Sequence, residues 1–132
     1  MAKRWLVDGM NVIGSRPDGW WRDRSRAMRD LVGELERYVA GSGEEVTVVF
    51  DGRASEDRPA PGGSAGGRLW VAFAPGGRDA ADDEIAARVG RAEDPGAIRV
   101  VTSDKGLAER VGEHGAEVVS VGRFRRLLER GS

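Results

Sequence analysis

Four short apolar runs, each with an acidic residue at or just beyond its end, constrain this chain more than any other feature. They are Trp5-Leu6-Val7-Asp8, Val46 to Asp51, Leu69 to Phe73 with Asp79, Asp82 and Asp83 behind it, and Ile98 to Asp104. Brief apolar runs bounded by Gly, Asp and Ser read as buried strands, and helical patterns between them imply a parallel sheet. In such a sheet all the strands' carboxyl ends point to one edge, where α/β proteins hold their ligands. Carboxylates far apart in sequence are thereby expected to meet. Crowded carboxylates repel unless a cation joins them, so the pattern asks for a divalent metal.

Composition narrows the chemistry further. A chain of 132 residues is expected to be one domain, 1–132, with a core large enough to need no staples. It has no Cys, which removes disulfides, Cys-ligated zinc and thiol catalysis. The single His, His114, excludes a paired-histidine nuclease and a His-rich zinc site. Carboxylates remain as the candidate catalytic and metal-binding groups. The basic start, Met1 to Asp8, has no apolar segment behind it, and no run is long enough to cross a bilayer. A cytoplasmic protein with no membrane partner is expected. The net charge of −1 gives no bulk attraction to nucleic acid, so any such binding must be local.

Along the chain, Arg4 to Val7 reads as a first strand and Gly9 to Asn11 as a turn. Pro17 to Arg22 reads as a loop. From Arg24 to Ala40, Ala27, Met28, Leu31, Leu35, Tyr38 and Val39 recur at helical spacing, and Gly41 and Gly43 end the helix. Val46 to Phe50 is the second strand. Gly52 to Arg68, rich in Gly, Pro, Ser and Arg, suits a mobile loop. Leu69 to Ala74 is a third strand at or near an edge. Asp79, Asp82 or Asp83 then caps a helix carrying Ile85, Ala86, Val89 and Ala92. Ile98 to Thr102, a helix through Leu107 and Val111 closed by Gly115, a strand at Val118 to Val121 and a final helix complete the chain. Right-handed crossovers fold this order into a three-layer α/β/α sandwich around a mostly parallel sheet.

Each acid has a structural role that would suffice alone. Asp8-Gly9 and Asp51-Gly52 are ordinary turn dipeptides, and Asp79, Asp82, Asp83 and Asp104 stand at helix starts. Their common edge shifts the balance toward a site. Two or three carboxylates can hold Mg²⁺ or Mn²⁺ and leave room for water and a phosphate oxygen. Asn11 offers an amide oxygen, and Thr102 and Ser103 offer hydroxyls. Attack by water needs no ribose hydroxyl, so these residues alone do not separate RNA from DNA.

A second region is Arg16-Pro17-Asp18-Gly19-Trp20-Trp21-Arg22-Asp23-Arg24-Ser25-Arg26. Tryptophans in a Gly/Pro loop flanked by Arg can stack on unpaired bases and grip the backbone. The alternative is that Trp20 and Trp21 fold back as a small satellite core. Arg53, with Arg58, Arg68 and Arg78, would add a second wall. Arg123, Arg125, Arg126 and Arg130 read as a solvated helix face, and His114 as a structural residue at a helix end.

On these residues the chain resembles YacP-like NYN-domain proteins, within the PIN-like nuclease superfamily. The matching stretches are Leu6 to Gly14, Val48 to Gly52, Ala80 to Ile85 and Val100 to Val111. The resemblance implies an α/β/α nuclease fold and metal-dependent cleavage of RNA with Mg²⁺ or Mn²⁺; a ribonuclease selective for single-stranded RNA is the leading expectation, endonucleolytic in the first instance, with the exonuclease mode left open. Carried over by position, it points to Asp8, Asn11, Asp82 and Asp104 as the acidic site. Asp51 and Asp83 are implied as further metal ligands, and either Asp82 or Asp83 would face the metal. PIN-like domains often form homodimers, which leaves that state open here. Longer relatives of this branch carry a helical extension that this sequence lacks.

Other readings fare less well. A catalytically inactive RNA-binding module with the same acidic edge is the nearest alternative, but the candidate acids are all present. A haloacid-dehalogenase-type phosphatase needs a second Asp two residues after Asp8, where Met10 stands. A Rossmann domain needs a G-x-G-x-x-G between strand and helix, and none occurs.

Overall fold

A computed structural model of the chain describes residues 4–77 and 79–131. The elements are β1 (Arg4–Asp8), α1 (Gly9–Gly14), α2 (Arg24–Ser42), β2 (Glu45–Asp51), β3 (Gly62–Ser64), β4 (Leu69–Ala74), α3 (Ala80–Arg91), β5 (Ile98–Val101), α4 (Lys105–Glu113), β6 (Glu117–Val119) and α5 (Val121–Gly131). The six strands form one sheet in the order β3-β4-β2-β1-β5-β6. Every pairing is parallel except β3 with β4.

Two apolar layers flank the sheet because side chains alternate along each strand. Trp5 and Val7 of β1, with Val46, Val48 and Phe50 of β2, meet α1, α2 and α5 through Val12, Ile13, Leu31, Leu35 and Phe124. Leu6, Val49 and Val100 point the other way, onto Ile85 and Val89 of α3 and Leu107 and Val111 of α4. This is the expected α/β/α sandwich. The chain winds outward from β1 to β2 and β4 on one side, then returns to β5 and β6 on the other. Strand order therefore reverses between β1 and β5, the kind of point where open α/β sheets place their sites.

Two local expectations are corrected. Gly9 to Asn11 is not a turn but the first turn of α1, which follows β1 without a linker. Its Val12 and Ile13 bury against the sheet, and that burial holds so short a helix. The stretch from Gly52 to Arg68 is not wholly a loop, since Gly62–Ser64 pairs antiparallel with β4 and a 3₁₀ turn follows. Other boundaries move by a residue or two. Gly43 closes α2 by donating to the Val39 carbonyl at 3.0 Å. At the start of α3, Asp79 holds the cap position without a side-chain bond. Asp51 supplies that bond instead, its carboxylate accepting from the Ala81 amide at 3.3 Å.

Candidate active site

Strand parity gathers the site. Asp8 follows Leu6 and Val7, so it leaves β1 on the α3/α4 face, as Asp51 does from β2 and Thr102 from the end of β5. Val7 pairs with Val101, which sets Thr102 beside Asp8. Both α3 and α4 begin at this edge, so their amino ends bring Asp82 and Asp104 toward the strand ends. Their positive dipole ends partly offset the gathered charge.

Asp8 is the centre of the arrangement and only 3% exposed. Its carboxylate accepts from the Thr102 hydroxyl at 3.1 Å, and the Asn11 backbone amide also favours its charged form. Among the described residues it has no ion-pair partner within 4.0 Å. Burial therefore dominates and pushes its pKa up from 3.8 to about 6, with Asp82 and Asp51 adding repulsion. Asp82, half-buried in the first turn of α3, is also raised, by burial and then by Asp104, Asp79 and Asp51. Carboxylates from five places in the sequence thus feel one another across one edge.

Thr102 joins the parts. It is 2% exposed, its hydroxyl donates to Asp8, and its oxygen accepts from the Asp104 amide at 3.1 Å. Asp104 in turn caps α4, accepting from the Leu107 amide at 2.9 Å. Asn11 accepts from the Ser103 amide at 3.0 Å, which ties α1 to the loop before α4. Asn11 and Thr102 thus tie α1 and the strand ends to the loop before α4. Thr102→Val should remove both bonds at little change in volume, costing about 1–2 kcal/mol of stability. It should also raise the Asp8 pKa further, because the lost bond favours the carboxylate; a carboxyl titration followed by NMR checks this, and Thr102→Ser should restore it.

The remaining sequence candidates separate. Asp83 is exposed on α3 and paired with Arg110 at 2.9 Å, a surface contact that takes it out of the inner cluster. Of the two adjacent acids, Asp82 is the inward one. Asp51 lies at the edge but serves α3 as a cap. Arg16 is not a free phosphate contact: its guanidinium makes two bonds to Glu34, at 2.8 and 3.1 Å, tying α1 to α2. Trp20 and Trp21 divide the two roles between them. Trp20 packs against the core, with Arg24 5.7 Å from its ring centre, while Trp21 is 60% exposed, with Arg22 at 6.0 Å. Arg53 is exposed just beyond Asp51. Arg78 lies outside the described residues. Arg125 donates to the Ser15 carbonyl at 3.2 Å, so α5 closes over the end of α1.

All donors at this edge are hard oxygens, the chemistry that Mg²⁺ and Mn²⁺ prefer. Among the described residues, no three acids converge on one ready-made cage. Mg²⁺ does not require such a cage, since it keeps several waters and takes one or two carboxylates directly. Asp8, Asp82 and Asp104 would be the residues to hold it.

A search of curated proteins finds no match. A family model described as the YacP-like NYN domain matches residues 5–132. Two crystal structures of Rae1 (YacP) from Bacillus subtilis share the fold. A point mutant superposes with a TM-score of 0.77 at 25% identity, over 98% of this chain and 76% of that one. A second Rae1 structure gives 0.72 at 25% identity, over 96% and 74%. With strand order, acidic edge and family match in agreement, the chain belongs to the YacP-like NYN family and carries its nuclease-type fold.

Proposed function

We propose that this domain is a metal-dependent endoribonuclease that hydrolyses phosphodiester bonds in single-stranded RNA, with Asp8, Asp82 and Asp104 holding Mg²⁺ or Mn²⁺. The observation that carries the reading is Asp8: a buried carboxylate at the sheet's switch point, without a cation partner among the described residues, facing other carboxylates. A fold does not keep such a group for stability, because burying an unpaired charge is costly. A divalent ion bound there lowers the pKa of attached water and screens charge gathering on the phosphate. The chain's own part is to fix the oxygens: Thr102 orients Asp8, α4 orients Asp104, and Asn11 locks the intervening loop. Family membership supports RNA as the substrate, and the exposed Trp21 with Arg22 offers a stacking plate for an unpaired base.

The test is cleavage of a single-stranded RNA with Mg²⁺ or Mn²⁺, with EDTA, and by Asp104→Asn. Asn keeps the capping oxygen for Leu107, so α4 should stay folded. Activity should vanish with EDTA and fall about 100-fold or more in the variant, since even outer partners of a metal site cost 10–100-fold. Metal-independent cleavage, or an unaffected Asp104→Asn protein, overturns the reading. Salt-sensitive RNA binding without any product would show an inactive binding module instead.

A further inference from the structure

At the opposite end of the sheet, where the strands begin, lies a groove of about 600 Å³ between the start of β4 and the last turn of α3. That volume is in the range of small-ligand pockets. It sits about 13 Å from the acidic edge, judged from four residues of β1 at 3.3 Å each. Its wall is the indole of Trp70, 49% exposed. Gly63, the antiparallel partner of Trp70, sets the ring's position: a Cβ there would stand 2.8 Å from two ring carbons, so only glycine lets the indole lie over β3.

Four arginines line the groove with Trp70, and their pairing tells them apart. Arg88 is committed to Glu84 at 2.7 Å, and Arg4 is 3.6 Å from Glu45. Arg91 reaches Glu84 only at 3.8 Å, and Arg68 makes one long bond, 3.5 Å, to the Ala65 carbonyl. Glu93 is the remaining acid in the lining. The groove therefore holds an exposed aromatic residue and two weakly engaged arginines in one lining.

We propose that this groove binds a nucleotide, with the base stacked on Trp70 and the phosphate held by Arg68 and Arg91. Stacking on an exposed aromatic suits any base, and the planar arginine fork suits phosphate oxygens. The nucleotide is either free or a unit of an RNA strand; in the second case the site deepens the nuclease reading by gripping the substrate away from the scissile bond.

The chain's four tryptophans allow a localised readout in ¹⁵N-indole NMR spectra, with the Trp70 signal identified by its absence in Trp70→Phe. AMP and a short oligoadenylate are titrated separately in EDTA, so that cleavage plays no part and failure of the metal chemistry leaves the result intact. The Trp70 signal should move with at least one probe. Measured by equilibrium dialysis, Trp70→Leu should weaken binding of that probe about tenfold, the lower part of the range for one stacked base. An Arg68→Ala/Arg91→Ala protein, which leaves the core untouched, should do likewise. A response to both probes, or to AMP alone, marks a nucleotide pocket open to free ligand; a response to the oligomer alone marks a strand contact. If Trp70 is silent to both at millimolar concentration, or only Trp20 and Trp21 respond, the proposal is overturned. Tenfold-weaker binding absent from both variants overturns it equally.

Discussion

Asp8→Asn is expected to abolish RNA cleavage while making the metal-free protein more stable at neutral pH. The two effects share one cause. Asp8 is nearly fully buried and its folded-state pKa stands at about 6 against 3.8 for the free side chain. The folded state therefore binds the proton more tightly than the unfolded state. Stability from this group is present below pH 4 and is lost as pH rises toward 6; at pH 7 the ionised carboxylate costs up to about 3 kcal/mol, two pKa units at 1.36 kcal/mol each. Asparagine is nearly the same shape and carries no charge, so it should recover about 1–3 kcal/mol in EDTA at pH 7. It can still accept from the Asn11 amide, and its own amide can donate to the Thr102 oxygen. Urea unfolding at pH 5 and pH 7 checks the sign: the parent should lose stability between these values, and the variant should lose markedly less. Adding Mg²⁺ or Mn²⁺ should stabilise the parent and leave Asp8→Asn nearly unmoved. Cleavage should drop about 100-fold or more, because the ligand itself is gone. An Asp8→Asn protein that is less stable than the parent at pH 7 would show that the carboxylate is a structural anchor rather than a charge awaiting a cation.

Much of this site could be read before any coordinates, and for a physical reason. Strand ends are marked by the change from apolar run to Asp-Gly or Ser-Asp, and parallel topology does the rest. The sequence left open which of Asp82 and Asp83 faces inward, and the burial pattern of α3 resolves it. Asp82 stands three, four and seven residues before Ile85, Ala86 and Val89, so it shares the buried face of α3, whereas Asp83 is turned toward solvent. What could not be read depends on tertiary partners. Arg16 looked like a phosphate contact because Glu34, its partner, lies 18 residues away on another helix. Arg110 draws Asp83 outward from 27 residues away. β3 is Gly62-Gly63-Ser64, which has no apolar alternation to reveal a strand; backbone pairing to β4 makes it one. Gly9-Met10-Asn11 has turn composition, and only burial of the following Val12 and Ile13 makes it a helix.

Gly9→Ala should damage both fold and site, although alanine is normally the better helix residue by about 1 kcal/mol. A Cβ at Gly9 would stand 2.6 Å from two ring carbons of Phe50 and 3.0 Å from a methyl of Val48. Neither neighbour can yield easily, since both are fully buried and the Phe50 ring lies 5.7 Å from that of Phe73. Overpacking of this kind costs about 1–3 kcal/mol, which outweighs the gain in helix propensity. Relief comes only by lifting α1 from β2. Because Gly9 follows Asp8 directly, that movement shifts the Asp8 carboxylate against Thr102 and pulls Asn11 from Ser103. A misplacement near 1 Å costs on the order of 100-fold in rate. Cleavage by Gly9→Ala should therefore fall at least tenfold at temperatures where circular dichroism shows the protein still folded. Phe50→Leu removes ring carbons from the clash, so the double variant should be more stable than the sum of the single losses predicts, with part of the activity restored. Strict additivity in that cycle, or a Gly9→Ala protein as stable and active as its parent, would mean that α1 does not press on Phe50 and that the close approach of helix to strand is not what sets Asp8 in place.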